Sequence, residues 1–341
     1  MSLADNSCIP EILGHKEILK EELKAIYKRC NHHAICLTGP VGIGKSLVAK
    51  ELGKAFLCPE KTVNGACGIC RSCRRINLGT HPDWHVLEPF GPKARGVISV
   101  EDIRNLEEKI WLKPGEGVGR VIIIEDAHLM PEISQNTLLK TLEEPPSWTL
   151  FILIAQKLAG LLPTVISRCQ VLRLSPLSDN EVKKILLKKG KYNEEDIELA
   201  VAYAKGSPGQ GIVFLEGGGK EILKELDNVF PDVSDNFDPF EFVERILENT
   251  KTIEIEEITH AQKKRQIGLL FLKIALAKAD SLLNDYVEDT EKKDYYFELL
   301  EKYSKWTELC IETEKGILEN LEVNLVLEVM LLNWMRYLKK L

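Results

Sequence analysis

"AICLTGPVGIGKS", residues 34 to 46, decides the fold. Its first five residues form an apolar run of the kind a buried parallel strand makes, and a glycine loop follows at once. "SLVAKELGKAFL", 46 to 57, then spaces its apolar residues as a helix does. Between that strand and that helix, Gly39, Pro40, Val41, Gly42, Ile43, Gly44, Lys45 and Ser46 fit G-x-x-x-x-G-K-[ST], in the setting the motif requires. Glycines let the chain turn so that successive N–H groups converge on phosphate oxygens, and the helix N-terminus adds its partial positive charge. Lys45 is expected to reach the β and γ phosphates, and Ser46 to offer a hydroxyl to Mg²⁺. The cofactor implied is ATP or ADP with Mg²⁺. The competing reading is a glycine-rich turn that binds nothing.

Outward from this loop, strand-like runs recur at "WHVLEP" near 84, "RVIIIED" at 120, "TLFILIA" at 149 and "CQVLRL" at 169. Helical stretches such as "VEDIRNLEEKIWL" and "NTLLKTLEE" separate them. Strands alternating with helices predict an α/β domain with a parallel sheet over residues 1–174. "SPLSDNEVKKILLKKG" opens a small helical domain, 175–232, with a Ser-Asp start signal and breaks at "KGSPGQG" and "EGGGK". "FPDVSDNFDPF", 230 to 240, reads as a linker because Pro, Asp and Ser cluster there. Long amphipathic helices without strand signals fill a third domain, 233–341.

A chain of 341 residues has room for two or three domains. Its net charge of −7 argues against an autonomous DNA binder. No run of about 18 apolar residues exists, so no membrane span or membrane partner is expected. "MSLADNSCIPEILGHK" lacks a charged segment followed by an apolar one, so no secretory signal is expected and the cytoplasm is the expected compartment.

Four of the nine cysteines crowd together: Cys58, Cys67, Cys70 and Cys73, spaced C-x8-C-x2-C-x2-C. Four thiolates at such spacing can enclose a tetrahedral Zn²⁺ with no open position, a structural site. Counting each thiolate as −1, the centre carries about −2, and Arg71, Arg74 and Arg75 are expected to help offset it. Redox use competes, but no strand precedes the C-x-x-C as a thioredoxin-like site needs. Unligated core thiols are the other alternative. Cys8, Cys30, Cys36, Cys169 and Cys310 are scattered and read as ordinary cysteines.

A P-loop, a four-cysteine module, "NTLLKTLEEPP" at 136–146 and "SRC" at 167–169, in that order, resemble the subunits of the bacterial DNA polymerase III clamp loader. These AAA+ proteins open the ring-shaped sliding clamp and place it on primed DNA. The resemblance implies an AAA+ P-loop α/β domain, a small helical lid and an all-α collar, with "NLEVNLVLEVMLL" at 320–332 like the family's last collar helix. Gamma/tau motors and delta-prime subunits share this plan.

Motors carry Asp-Glu after the apolar strand, the Asp serving Mg²⁺ and the Glu the attacking water; "VIIIEDAH", 121 to 128, instead places Glu125 and then Asp126 there. Moving a carboxylate by one methylene shifts its oxygens by about 1 Å, enough to cost on the order of a hundredfold in rate. Ala155 and Gln156 replace the expected polar threonines, and Gly206-Ser207-Pro208-Gly209 lacks the lid arginine. Arg168 in "SRC" matches the arginine finger presented to a neighbour's ATP.

The resemblance thus implies a delta-prime type of subunit that binds ATP weakly or without turnover and lends Arg168 in trans. Its implied partners are gamma/tau and delta subunits, with the sliding clamp and primed DNA met through the assembly. Lys93 and Arg95, on one loop, are candidate phosphate contacts. Two solvated acids at a strand end and an Arg168 in a structural ion pair are the plainer readings. The functional alternatives are a gamma/tau-type motor ATPase and a stand-alone zinc-bearing P-loop DNA-binding protein.

Overall fold

In a computed structural model of the chain, residues 14–30, 32–89, 97–116, 118–233, 237–248, 260–287, 293–318 and 321–340 are described. Cys8, Lys93 and Arg95 lie outside them. The chain divides into two units, Met1–Glu181 and Val182–Leu341.

In the first unit, α1 (Lys16–Tyr27), β1 (Ala34–Thr38), α2 (Lys45–Leu57), α3 (Arg71–Asn77) and β2 (Trp84–Leu87) come first. They are followed by α4 (Val100–Ile110), β3 (Arg120–Ile124), α5 (Glu132–Glu143), β4 (Thr149–Ala155), α6 (Pro163–Ile166) and β5 (Gln170–Arg173). The strands pair in parallel in the order β2-β3-β4-β1-β5. The three inner strands are buried along their whole length, which is why they read as unbroken apolar runs. Side-chain alternation splits them between two cores. Ile35, Leu37, Val121, Ile123 and Ile152 meet Leu23 of α1 and Leu52 of α2 on one face. Cys36, Ile122, Ile124, Phe151 and Leu153 meet Ile103 of α4 and Leu138 of α5 on the other. The sheet is therefore an α/β sandwich, as the alternating pattern predicts.

Helix ends follow local chemistry. Ser99 caps α4 by accepting from the Asp102 N–H at 3.2 Å, while the Asp102 carboxylate accepts from the Ser99 N–H at 2.8 Å. Helix α5 stops at Glu143 because Pro145 and Pro146 can supply no helical N–H and force extended backbone before them.

The second unit is helical among its described residues. It holds α7 (Asp179–Lys188, whose first turn lies in the first unit), α8 (Glu194–Ala204), α9 (Pro208–Glu216) and α10 (Gly219–Leu226). Then come α11 (Pro239–Glu248), α12 (His260–Val287), α13 (Lys293–Leu318) and α14 (Val323–Leu338). The breaks at 205–207 and 217–218 fall where the glycines predict them. The stretch expected to be a linker begins inside a core: Phe230 packs on Trp306 and Trp334, with ring centroids 5.3 and 5.7 Å away, and the Trp334 indole N–H donates to Val229 O at 2.9 Å. On α14, Val323, Leu327, Met330, Leu331 and Trp334 are buried, while Leu325 and Val329 are exposed. Among the described residues no helix is long and apolar enough to cross a membrane.

Candidate nucleotide site and cysteine centre

The glycine loop closes the C-terminal end of β1 and opens α2. Gly39 has φ +153°, and a Cβ there would meet Leu174 O at 2.4 Å, so backbone runs against backbone where only glycine fits. Gly44, at φ +103°, has nothing within 4 Å of its would-be Cβ, so the mouth of the loop is open. Lys45 is only 8% exposed and donates from Nζ to Gly39 O and Pro40 O, each at 2.7 Å. Burial pulls its pKa down, and the Asp126 and Glu125 carboxylates push it back up. A buried ammonium beside an open, glycine-lined mouth suits a phosphate chain. Ile43 turns its side chain into the core, so it can serve a ligand only through its backbone.

The two acids take different roles. Glu125 continues β3, its N–H donating to Leu87 O at 2.9 Å, and its Oε2 accepts from the Ser46 hydroxyl at 3.1 Å. Burial raises the Glu125 pKa; the Ser46 hydrogen bond and Lys45 oppose that rise, and Asp126 and Glu88 add to it. Asp126 turns into the left-handed region at φ 45°, ψ 42°, which a short acid tolerates, and starts a single 3-10 turn. Its Oδ1 lies 3.9 Å from Nδ1 of His128. That nitrogen accepts from the Gln156 N–H at 3.5 Å, and burial lowers the His128 pKa against the opposing pull of the Asp126 carboxylate. The Thr38 hydroxyl donates to Gln156 O at 3.5 Å, tying the end of β4 to the root of the loop. Sequence reasoning missed His128.

Arg168 stands elsewhere. It precedes β5, whose Gln170 pairs with Ile35 near the start of β1. It is therefore separated from this chain's own glycine loop by the length of β1, about 13 Å at roughly 3.3 Å per residue. Its guanidinium is partly exposed, ion-paired with Glu143, and donates to Thr164 O at 2.7 Å.

Cys58, Cys67, Cys70 and Cys73 converge, with their Sγ atoms all within 4.8 Å of one another. Sγ of Cys58 and Cys70 are 3.9 Å apart, close to the ~3.8 Å that tetrahedral Zn–S bonds of about 2.3 Å require. Backbone N–H groups of Cys67, Cys70 and Cys73 donate to the sulfurs of Cys58, Cys67 and Cys70 at 3.3–3.4 Å, an arrangement that favours thiolates. Burial pushes the Cys58 thiol up to about 11 and raises Cys73 as well, while Cys67, against the same effect of burial, is held below the ordinary thiol value by backbone N–H groups. The donor set fits Zn²⁺, and these four residues would hold it. Metal analysis should return about one zinc per chain; a folded protein free of metal would remove the assignment.

Two of the arginines beside the centre have a carboxylate of their own. Arg75 pairs with Glu116 and donates to Thr80 O at 2.8 Å, and Arg71 lies 3.9 Å from the same carboxylate. Arg74 is exposed. Glu116 also approaches Nε2 of His81 at 3.3 Å, while Nδ1 of His81 accepts from the Asp83 N–H at 3.1 Å. Asp83 accepts from the N–H groups of Gly115 and Glu116 at 2.9 and 3.0 Å and from Arg120 at 3.1 Å. This network, buried at His81, Asp83 and Arg120 and partly exposed at Glu116 and Arg75, ties the residues after the cysteine module to the sheet, and sequence reasoning missed it.

A profile of the family described as "DNA polymerase III, delta subunit" matches residues 14–178. The DNA polymerase III delta-prime subunit of Escherichia coli (strain K12) is 31% identical over 207 residues, covering 60% of this chain and 61% of that one. That of Pseudomonas aeruginosa is 36% identical over 211 residues, covering 58% and 63%. A DNA polymerase III gamma subunit of Buchnera aphidicola is 31% identical over 211 residues, covering 60% and 57%. The chain thus spans about six-tenths of the length of these relatives. Among solved structures, a DNA polymerase III gamma subunit-related protein of Thermotoga maritima aligns at 16% identity and a TM-score of 0.41, over 93% of this chain and 98% of that one. Over residues 14–178, a little under half of its length, the chain is therefore similar to subunits of DNA polymerase III, of both the delta-prime and the gamma type.

Proposed function

We propose that the protein works in the clamp loader as a subunit that grips ATP weakly or without turnover and completes a neighbour's site with Arg168. The observation that carries this reading is the hydrogen bond from Ser46 to Glu125. The longer acid reaches the hydroxyl itself and fills the place beside it that a shorter Asp would leave to Mg²⁺ and its water. Asp126, one methylene short of a Glu and turned aside by its left-handed backbone, is badly placed to polarise an attacking water. When bound, Mg²⁺ would neutralise phosphate charge; Ser46 would offer it the hydroxyl, in competition with Glu125. The lid and collar divisions at 175–232 and 233–341, the gamma/tau and delta neighbours, and contact with the sliding clamp and primed DNA through the assembly belong to this same proposal.

The purified chain is expected to retain a fluorescent ATP analogue and to lose it on Lys45→Ala. Its turnover with Mg²⁺ and primed DNA should lie at least about a hundredfold below the usual 1–10³ s⁻¹ range. Asp126→Glu alone should not restore turnover, since Gly209 still stands where the lid arginine is needed. Sustained turnover within that range, lost on Lys45→Ala, would establish the motor reading instead. The intact loop and the resemblance to a gamma subunit favour that alternative.

A further inference from the structure

We propose that Glu143 is the positioning residue of the finger: it holds the Arg168 guanidinium in the orientation in which a neighbour's triphosphate meets it. This rests on the reading of Arg168 given above. Glu143 is the last residue of α5, and the two prolines after Glu144 fix where that helix ends. Arg168 follows α6 and donates from Nη1 to Thr164 O at 2.7 Å, a carbonyl that α6 is too short to use. Its Nη2 donates to Glu143 Oε1. The guanidinium thus lies against the C-terminal ends of two helices, where a cation is favoured, with a full negative charge added on one side.

The geometry restrains without saturating. A guanidinium has five N–H groups. Glu143 and Thr164 take one each, and the Ser167 hydroxyl is a long third partner at 3.4 Å. Among the described residues nothing takes Nε–H or the second Nη2–H, which leaves them for an outside acceptor. Both side chains of the pair are partly exposed, so an arriving phosphate can reach those donors. A long, flexible Arg on a strand-end loop would otherwise sample many rotamers. Two fixed acceptors at separate helix ends select one of them before the neighbour docks. A pair serving only to stabilise the fold would be a weak choice at such exposure, because exposed ion pairs contribute little to stability.

The test uses the loader reconstituted from this chain and its motor subunits. Glu143→Ala is expected to lower kcat at the interface served by Arg168 by about tenfold to a hundredfold, leaving KM for ATP and assembly on a sizing column unchanged. In an Arg168→Ala background the same change should add nothing. Glu143→Gln, which keeps an acceptor but loses the charge, should fall between Glu143→Ala and the parent. A Glu143→Ala loader with full kcat, or a loss that adds to that of Arg168→Ala, overturns the inference while the finger stands. An Arg168→Ala loader with unchanged ATPase takes down the finger and this inference together.

Discussion

Arg168→Ala is expected to lower ATP hydrolysis at the neighbouring subunit's site by about 10³- to 10⁵-fold, the range over which arginine fingers act. The effect should appear in single-turnover measurements on the assembled loader, where one site can be followed. Steady-state ATPase will drop by the share that site carries, and further if the sites fire in sequence. Affinity for ATP should hold, because the charge that the finger stabilises develops in the transition state. Arg168→Lys should recover little: an ammonium cannot hold Glu143 and Thr164 O in the present fork and still present two parallel donors. Assembly should be intact, since the side chain is partly exposed and anchors no core. An assembled loader with parental hydrolysis would show that Arg168 merely closes a surface ion pair.

A second large effect is expected far from the nucleotide. Asp83→Ala should destabilise the first unit by about 3–5 kcal/mol, the cost of stripping one partner from a buried pair. Asp83 is 1% exposed, and Arg120, at 5%, would be left with a buried positive charge. The N–H groups of Gly115 and Glu116 would lose their acceptor as well. Thermal unfolding should shift down by roughly 10 °C or more. Burial alone would raise the Asp83 pKa, but those two N–H groups and the guanidinium outweigh it and hold the pKa below the ordinary carboxylate value. The sign follows. A carboxyl with a depressed folded-state pKa contributes stability above its unfolded pKa of about 3.9, and that contribution is lost as pH falls through the folded value. The parent should therefore weaken steeply below about pH 4, and Asp83→Asn should show a flatter profile there. A parent and an Asp83→Asn protein that lose stability in parallel on acidification would contradict this.

The strands were legible because a sheet covered on both faces needs continuous apolar runs, and "RVIIIED" and "TLFILIA" can be little else. The glycine loop was legible because Lys45 and Ser46 sit at fixed offsets from backbone that must turn. What lay beyond reach were contacts set by register. Trp84 pairs with Val121, so Asp83 and Arg120 face each other at the mouths of two strands. An acid directly before one strand-like run and an arginine opening the next were the signal available. Arg71 and Arg75 were read by nearness in sequence to the cysteines, but Glu116, forty residues on, claims them. Phe230 looked like linker by composition because nothing local announces that two tryptophans about 76 and 104 residues later will cover it. The different fates of Glu125 and Asp126 turn on one left-handed residue, which "EDAH" does not reveal.

The glycine loop and Arg168 occupy opposite ends of one parallel sheet, and parallel strands all run the same way. A subunit built like this has a donor end and an acceptor end that cannot swap. If Arg168 completes a neighbour's site, the surfaces that meet are unlike, so contact is heterologous and has a direction. Two copies related by a simple twofold axis could not both use it. Successive subunits would have to follow one another around an arc.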